Sequence, residues 1–571
     1  VLTAVVLTAV FTGCGTKTTP ENTTSTTTTV AESSAEPTTT AQDFGEPVTL
    51  RWLNMNSGYS GPWTGWFDDF VFEKTGVHIE VVQCTPERMQ AALASGELLD
   101  IVTFQQWNNL ETAIKGDMLL NLDEHLDALP NVTANLGTAL QYMRDERSAG
   151  TGKVYGIPGY IGENNMISDT GVYAANVRWD IYQDIGAPAV KTVDDFLPVL
   201  KQMQEKYPKT PDGKKVYAFS LFPDWDGRWM YGAASLFVIT GHFEGLADYF
   251  LDWNTKDNVT TGLLDKDGTY IHALKFYNQA YRLGLLVPDS MTQTQANGYT
   301  KLQAGQMLTA WNCWDGNGAF NTKENIDADP PKGFKPIIFD DFYAATMSDY
   351  PVGGTDPLAI SKNCENVDAA LRFVDFLANY DNNMTICNGP EGFLWEIGSD
   401  GKPHVTDKYN DYLKDPTMEF PGGGNADKPG LWPLIRPSAT NPTYGVPFAM
   451  AYWDEPVQMQ NDNKLAKSWS DFYHADNPLA LLKDQKRIVP RPLAYSLMEA
   501  APDDIQMAAN QIGDIVKPTS WKMVYAKTDA EFDKLYQDMV KKADGLGIKS
   551  VQDWAKTALE KAQTKAVKYE K

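Results

Sequence analysis

The sequence predicts an α/β fold organised around a parallel sheet, from three strand-like segments and two helix-like segments between them. Residues 48–53, 77–82 and 100–104 have the short apolar patterns of strands. Apolar side chains at helical spacing occupy 63–74, and a second helical segment covers 86–95. The strand-helix-strand-helix-strand order predicts parallel strands joined by crossover helices.

The second of these helices has clear start and stop signals. Thr85 stands at the N-cap position, Pro86 follows at the first helical position, and Glu87 places an acid in the first turn. Gly96 comes directly after the helical pattern, where glycine commonly ends a helix. We therefore expect this helix to end just before Gly96.

Two loops follow the predicted first and third strands and are candidates for ligand binding. In open parallel sheets, ligands bind beyond the carboxyl ends of the strands. The loops at 54–66 and 105–109 lie there and are rich in amide and indole side chains. The same composition also suits ordinary surface loops, so both interpretations stay open.

The composition narrows the function classes. The chain has 571 residues, enough for two to four domains or two large lobes, and its 43% hydrophobic and 22% charged residues are those of a globular protein. A formal net charge of −25 disfavours binding to nucleic acids or anionic membrane surfaces. The 5 cysteines and 6 histidines are dispersed without a CxxC or HExxH pattern, so we expect no metal site and no cofactor.

The first residues carry an export signal. Residues 1–11 contain no charge and lead into Thr12-Gly13-Cys14-Gly15, which resembles a bacterial lipobox. We expect lipidation at Cys14 within a signal at 1–14 and, because the chain opens without Met or a basic segment, a start inside that signal. Residues 15–46, rich in Thr, Ser, Pro, Glu and Ala, are expected to form a disordered tether. A lipid anchor and a tether predict a globular body on the outer face of the cell membrane, and a Gram-positive cell fits best.

Two indoles, Trp311 and Trp314, lie near the end of a strand predicted at 307–310. Tryptophans in such a place are either core residues or a platform for a ligand. Asn312 and Asp315 alternate with them, so polar groups border the aromatic faces. A sugar ring has apolar C–H faces and hydroxyls at its edge, so this combination suits a carbohydrate.

Several short motifs follow one another in an order typical of one protein family. A helix, a small-residue turn and Asp-Ile-Val occupy 89–104, and Lys-Val-Tyr-Gly-Ile-Pro occupies 153–158. Asn-Val-Arg-Trp-Asp at 176–180 precedes Thr-Val-Asp-Asp-Phe at 192–196, and Glu-Gly-Phe-Leu-Trp lies at 391–395. Together they resemble the extracellular solute-binding proteins of sugar-uptake ABC transporters, in the large lipoprotein subgroup of family 1.

The resemblance implies a two-lobed periplasmic-binding-protein type II fold, with a hinge and a ligand cleft between the lobes. Lobe 1 would comprise 47–162 and about 353–430, and lobe 2 would comprise 163–352 and about 431–571. It implies a monomeric, membrane-anchored protein that is not an enzyme. Such a protein captures a carbohydrate, for which we expect an oligosaccharide, and delivers it to an ABC transporter permease.

The candidate ligand-binding residues combine aromatic platforms with polar groups, because a sugar needs both. The stacking candidates are Trp63, Trp107, Trp225, Trp229, Trp311 and Trp314. The hydrogen-bonding candidates are Asn54, Gln106, Glu163, Asn164, Asp226, Arg228, Asn312, Asp315 and Glu391.

One departure from the family pattern concerns calcium. Some large relatives carry a calcium loop after the motif at 176–180, but the segment 210–217 offers a single carboxylate, Asp212, beside two lysines. Calcium takes six to eight oxygen ligands. We therefore predict no structural calcium.

Two other functions remain compatible with the sequence. An extracellular glycoside hydrolase would use the same aromatic residues but needs two opposed carboxylates, which the many Asp and Glu residues could supply. A peptide-binding or adhesion-type surface lipoprotein is the second alternative. The order of the family motifs favours the carbohydrate-binding protein over both.

Overall fold

The structure is a computed structural model that describes residues 44–163, 173–346, 351–354 and 356–569. The predicted lipidation site Cys14, the predicted ligand residue Asn164 and all but the last three residues of the predicted tether lie outside these ranges.

Within the described ranges, most strands are short. They are β1 Val48–Asn54, β2 Gly61–Pro62, β3 Val77–Gln83, β4 Ile101–Thr103, β5 Tyr173–Arg178, β6 His242–Phe243, β7 Leu251–Asn254, β8 Val259–Gly262, β9 Thr309–Asn312, β10 Phe334–Pro336, β11 Ala344–Thr346, β12 Leu358–Ile360, β13 Trp395–Ile397, β14 Pro403–Val405, β15 Thr440–Asn441, β16 Val446–Pro447 and β17 Ile488–Pro490.

Helices make up most of the rest of the described chain. They are α1 Trp66–Thr75, α2 Pro86–Ser95, α3 Trp107–Lys115, α4 Pro130–Asn135, α5 Gly137–Glu146, α6 Trp179–Asp184, α7 Phe196–Lys206, α8 Ala234–Val238, α9 Thr269–Arg282, α10 Gln295–Gln303, α11 Cys313–Ala319, α12 Lys323–Ile326, α13 Val367–Ala378, α14 Tyr380–Asn388, α15 Lys408–Lys414, α16 Asp454–Asn461, α17 Lys464–Tyr473, α18 Pro478–Asp484, α19 Leu493–Ser496, α20 Asp503–Val524, α21 Asp529–Gly545 and α22 Ile548–Tyr569.

The first sheet confirms the predicted parallel arrangement. Its strand order is β12-β4-β1-β3-β2, and β1 runs parallel to both β3 and β4. The edge strands β2 and β12 run antiparallel to their neighbours, and β2 was not predicted because a strand of two residues has no readable periodicity. Asn54 pairs with Thr103 at the carboxyl ends of β1 and β4, so the loops that follow these strands begin side by side.

The helix α2 has the predicted bounds. The Thr85 hydroxyl accepts a hydrogen bond from the Arg88 N–H at 3.3 Å, as an N-cap should. Gly96, at φ 78°, donates its N–H to the Ala92 carbonyl at 2.8 Å, and the helix ends there.

The helix α1 begins three residues later than the sequence predicted. Trp63 donates its backbone N–H to the Ile79 carbonyl at 2.9 Å, so it still belongs to the sheet edge. Gly65, at φ 69°, makes the turn from this extended backbone into the helix that starts at Trp66. The apolar side chain of Trp63 therefore follows the pairing of the sheet and not the periodicity of the helix.

Buried apolar side chains in the described part of the chain form two large cores and one small cluster. The first core surrounds the five-stranded sheet and draws on the ranges 50–161, 243–253, 352–453, 493–497 and 555–569. The second core draws on the ranges 174–250, 263–344 and 465–551.

The chain passes between the two cores through a segment that pairs with a later one. The Tyr160 N–H donates to the Pro433 carbonyl at 2.9 Å, and the Ile161 N–H donates to the Leu434 carbonyl at 2.7 Å. These bonds join two distant parts of the sequence at the crossing.

A second sheet, with the order β10-β5-β9, lies in the second core. Its strands run antiparallel, and β9 begins at Thr309, two residues after the predicted start. Met307 and Leu308 pair instead with Tyr217, whose carbonyl accepts the Leu308 N–H at 2.9 Å. The shift places Trp311 within the strand.

Two long helices, α21 and α22, lie near the C-terminus. In α22, Val551 is buried in the second core and Ala555 in the first, so this helix contacts both. No helix in the described ranges combines the length and the apolar character needed to cross a membrane.

Candidate functional site

A cavity of about 70 Å³ that opens to solvent lies beside the second core. We call it the aromatic cavity, because five aromatic side chains line it together with polar and aliphatic residues. The aromatic lining residues are Phe222, Trp225, Tyr231, Tyr299 and Trp311. The polar lining residues are Ser220, Ser235, Gln295, Thr309 and Asp315. Three of the residues predicted to bind a ligand, Trp225, Trp311 and Asp315, are brought together here.

Trp225 lies on the loop 222–231, and its neighbours hold the indole edge-on. The indole centroid lies 5.1 Å from that of Phe222 and 5.8 Å from that of Tyr231, with interplanar angles of 88° and 84°. Such edge-to-face contacts restrict the orientation of an aromatic ring. The side chain is half-buried, so part of the ring faces the space inside the cavity.

Asp226, also predicted to bind a ligand, is engaged by protein donors outside the cavity lining. Its Oδ2 accepts a hydrogen bond from the Trp521 indole N–H at 2.6 Å, and its Oδ1 accepts the Tyr231 backbone N–H at 2.8 Å. Trp521 is buried in α20. The carboxylate therefore ties the loop that carries Trp225 to a helix of the second core.

Burial has an electrostatic consequence for this carboxyl group. Desolvation raises the pKa of Asp226 from an ordinary value of 3.8 to about 6, although the Trp521 and Tyr231 hydrogen bonds oppose the rise. The folded chain thus binds this proton more tightly than the unfolded chain does. The contribution of this group to stability is complete below the unfolded pKa and is lost as the pH rises through about 6.

We expect Asp226→Asn to remove a measurable part of the pH dependence of stability. Between about pH 7.5 and about pH 5, the wild-type free energy of unfolding should gain about 1.4 kcal/mol relative to the variant, since asparagine does not titrate. Urea unfolding at both pH values measures this difference. Asp553→Asn, at an exposed carboxylate of α22, is the control for charge removal. If the free energies of unfolding of wild type and Asp226→Asn differed by the same amount at both pH values, the raised pKa of Asp226 would be contradicted.

The opposite wall of the cavity is one face of α10. Gln295 and Tyr299 lie four residues apart on this helix, which places both on the same face. The Gln295 N–H donates to Asp224 Oδ2 at 2.8 Å, so the loop at 222–231 is also joined to the start of α10.

The two tryptophans near the end of β9 are described to different extents. Trp311 is 8% exposed and stacks on Phe219 at 5.7 Å and 5°, so most of its indole belongs to the core and only its edge lines the cavity. Asp315, in the first turn of α11, is 9% exposed and also lines the cavity. The backbones of Asn312 and Trp314 are placed in β9 and α11, but their side chains lie outside the described part of the structure.

Two further predicted residues contact the helices behind the loop. Trp229 is buried, with its ring 5.8 Å from that of Tyr270 in α9. The Arg228 guanidinium donates to Gln506 Oε1 at 2.5 Å and to Asn510 Oδ1 at 2.9 Å, both in α20. Neither side chain lines the aromatic cavity.

Asn54 and Trp63, predicted from the loop after the first strand, are buried in the first core. The Asn54 amide donates to the Gly430 carbonyl at 2.6 Å, and the Trp63 indole donates to the Pro429 carbonyl at 2.8 Å. Both side chains therefore hold the segment around Gly430 against the sheet.

The remaining predicted residues lie at other surfaces. Gln106 is exposed at the start of α3, and Trp107 is half-buried beneath the Arg147 guanidinium, 4.7 Å from the ring centroid. Glu163 lines a separate open trough, and Glu391 is exposed in the turn after α14. The structure does not bring these four side chains to the aromatic cavity.

Sequence reasoning missed several cavity residues. The i, i+4 spacing of Gln295 and Tyr299 was a readable signal, whereas Tyr231 has no local pattern that marks it. A second aromatic pair, Tyr160 and Trp432, stacks at 4.9 Å and 27° at the crossing between the cores. The Trp432 indole N–H is buried without a hydrogen-bond partner in the described structure.

The described residues contain no group of three or more His, Cys, Asp or Glu side chains arranged to hold a metal. In the loop where relatives can bind calcium, the Asp212 carboxylate lies 3.0 Å from the Lys214 ammonium and also accepts the Thr210 hydroxyl. A lysine of the chain itself thus neutralises the carboxylate.

We expect a chelator such as EDTA to leave the melting temperature unchanged, because the Lys214 ammonium already satisfies Asp212. Thermal unfolding with and without chelator measures this. A fall in the melting temperature that added calcium reverses would show that a metal site exists.

Comparisons with solved structures found the same fold in several proteins of low sequence identity. The alginate-binding protein AlgQ2 superposes with a TM-score of 0.60 at 15% identity, over 92% of this chain and 100% of that one. An HMO-binding solute-binding protein associated with an ABC transporter, from Bifidobacterium longum infantis, gives 0.58 at 17% identity over 90% and 98%. The Streptococcus pneumoniae substrate-binding protein FusA in complex with kestose gives 0.58 at 14% identity over 90% and 100%.

A comparison with curated protein sequences found no match. A comparison with protein families matched residues 66–394, more than half of the 571 residues, to one family. By this match and its two-lobed periplasmic-binding-protein type fold, the chain belongs to the bacterial extracellular solute-binding proteins.

Proposed function

We propose that this protein captures an oligosaccharide outside the cell and delivers it to the permease of an ABC transporter. The observation that carries the proposal is the aromatic cavity, which is lined by five aromatic rings and by hydroxyl, amide and carboxylate groups. Rings of this kind stack on the C–H faces of sugars, and the polar groups suit hydroxyls at the ring edge. Similar structures are named for binding alginate, HMO or kestose, which supports a carbohydrate ligand.

The two cores support two lobes that close over this ligand. Leu434 and Trp453 are buried in the first core, as are residues of 493–497 and 555–569, so we propose that lobe 1 continues beyond residue 430 and includes these parts of the chain. The paired crossing around Tyr160 would form part of the hinge. Closure of the lobes removes water from the sugar and completes its hydrogen bonds. The closed form therefore has the higher affinity for the sugar, and binding shifts the equilibrium from the open form to the closed form by that difference in affinity.

The proposed location follows from the N-terminal sequence. A lipid on Cys14 and a tether over 15–46 would keep the two lobes of the monomeric protein close to the permease. The protein would then lie on the outer face of the membrane of a Gram-positive cell. Palmitate labelling of the full-length protein, compared with Cys14→Ala, tests this anchor.

A panel of plant and host oligosaccharides tests the function. We expect at least one to raise the melting temperature and to bind with a Kd of about 1 μM, which is about −8 kcal/mol. Isothermal calorimetry on the strongest responders measures the Kd. If short peptides stabilise the protein and no glycan does, the carbohydrate proposal is wrong.

A glycoside hydrolase is the second candidate, and the cavity argues against it. Such enzymes need two carboxyl groups on opposite sides of the glycosidic bond. Asp315 is the one carboxylate among the described side chains that line the cavity. We therefore expect no release of reducing sugar from any glycan that binds.

A further inference from the structure

The charged groups at the aromatic cavity have a single sign. Asp315 lines the cavity, and Asp224 lies at its edge, where it holds the backbone of Gln295. No lysine, arginine or histidine among the described residues lines this cavity. The sequences of the segments 164–172 and 347–350, which lie outside the described ranges, also contain no basic residue.

Three cations of the surrounding structure lie outside the lining of this cavity. Lys301, on α10, lies 3.4 Å from the Asp289 carboxylate. Lys517 lines a different pocket, on the α20 side of the loop. Arg436, near the crossing, is 1% exposed beneath the Tyr160 ring.

This distribution of charge discriminates between sugars that differ only at one carbon. A hydroxymethyl group can donate a hydrogen bond to a carboxylate such as Asp315. A uronic acid has a second carboxylate at the same position. With no cation to pair with it, that carboxylate would lose water and face a like charge, which disfavours binding.

We propose that the aromatic cavity selects oligosaccharides of uncharged sugars and rejects uronic acids, with Asp315 as the residue that determines this specificity. The inference rests on the proposed function, since it assumes that the cavity holds a sugar. It separates this chain from the alginate-binding protein whose fold it shares.

Matched trisaccharides test the proposal on the full-length protein. The pairs are mannotriose with trimannuronate, galactotriose with trigalacturonate, and cellotriose with triglucuronate, each with the same linkage in both members, measured by calorimetry beside the wider glycan panel. We expect binding to neutral glycans only, or a uronate at least about 10-fold weaker than its neutral partner, which is about 1.4 kcal/mol.

Each remaining outcome decides a different claim. A uronate that binds as tightly as its neutral partner, or more tightly, overturns the charge selection while leaving carbohydrate binding intact. If no glycan of the pairs or of the panel binds, the proposed function is overturned, and this inference with it.

Asp315→Asn tests the residue itself. We expect the ratio of neutral to uronate affinity to fall about 10-fold, because the repulsion is removed while the shape is kept. Asp553→Asn removes the same net charge from an exposed position in α22 and should leave the ratio unchanged. An Asp315→Asn protein with a wild-type melting temperature and a wild-type ratio would refute the assignment to Asp315.

Discussion

Replacing Trp225 with alanine is expected to weaken binding of the oligosaccharide by about 30-fold to about 150-fold. The substitution removes the half-buried indole that Phe222 and Tyr231 hold in one orientation at the cavity. Loss of its apolar contact area and of one stacking contact amounts to about 2–3 kcal/mol. Calorimetry with a glycan identified from the panel measures the change in Kd.

The matched control for this prediction is Trp554→Ala. Trp554 is another half-buried indole, on α22, where it contacts Tyr249 with ring centroids 4.9 Å apart. It does not line the aromatic cavity, so its replacement should affect stability and not affinity. Equal losses of affinity in the two variants would show that a general loosening, and not a stacking contact, explains the effect of Trp225→Ala.

Replacing Trp63 with alanine is expected to have the opposite profile, with a large loss of stability and little change in affinity. The indole is 3% exposed and lies among Trp52, Phe67 and Phe373, with ring centroids 4.7 Å to 6.0 Å away. Truncating a buried aromatic residue leaves a cavity and costs about 3–5 kcal/mol. Denaturant unfolding measures this loss.

The affinity of the folded fraction distinguishes the two possible roles of Trp63. The sequence suggested this residue as a stacking platform, whereas the structure places its ring in the first core and its indole N–H on the Pro429 carbonyl. Trp63→Phe keeps an aromatic ring and should recover part of the stability. A loss of affinity in Trp63→Ala as large as that of Trp225→Ala would restore the ligand role.

The fold could be predicted further from the sequence than the site could. Strand β1, helix α2 with its Thr85 cap and Gly96 end, and the parallel neighbours of β1 are all visible in local patterns. The start of α1 was wrong because the pairing of Trp63 with Ile79 is made across the sheet. Local periodicity carries no information about such a bond.

Local sequence also predicted some of the candidate ligand residues and failed for others. Trp225 and Asp315 have local neighbours that mark a polar and aromatic segment, and both line the aromatic cavity. Asp226, one residue after Trp225, instead accepts the Trp521 indole N–H from a helix almost 300 positions later in the chain. The direction of a side chain on an irregular loop depends on such distant partners.

The order of residues is enough to predict the class of fold, the order of the motifs, the net charge of −25 and the supply of indoles and amides that a sugar site needs. It does not show which of those indoles line a shared cavity and which fill a core, because burial and hydrogen-bond partners arise from contacts between distant segments. Trp63 and Trp225 have similar aromatic surroundings in the sequence, yet packing against Phe373 buries the first and the loop anchored by Asp226 presents the second to the cavity.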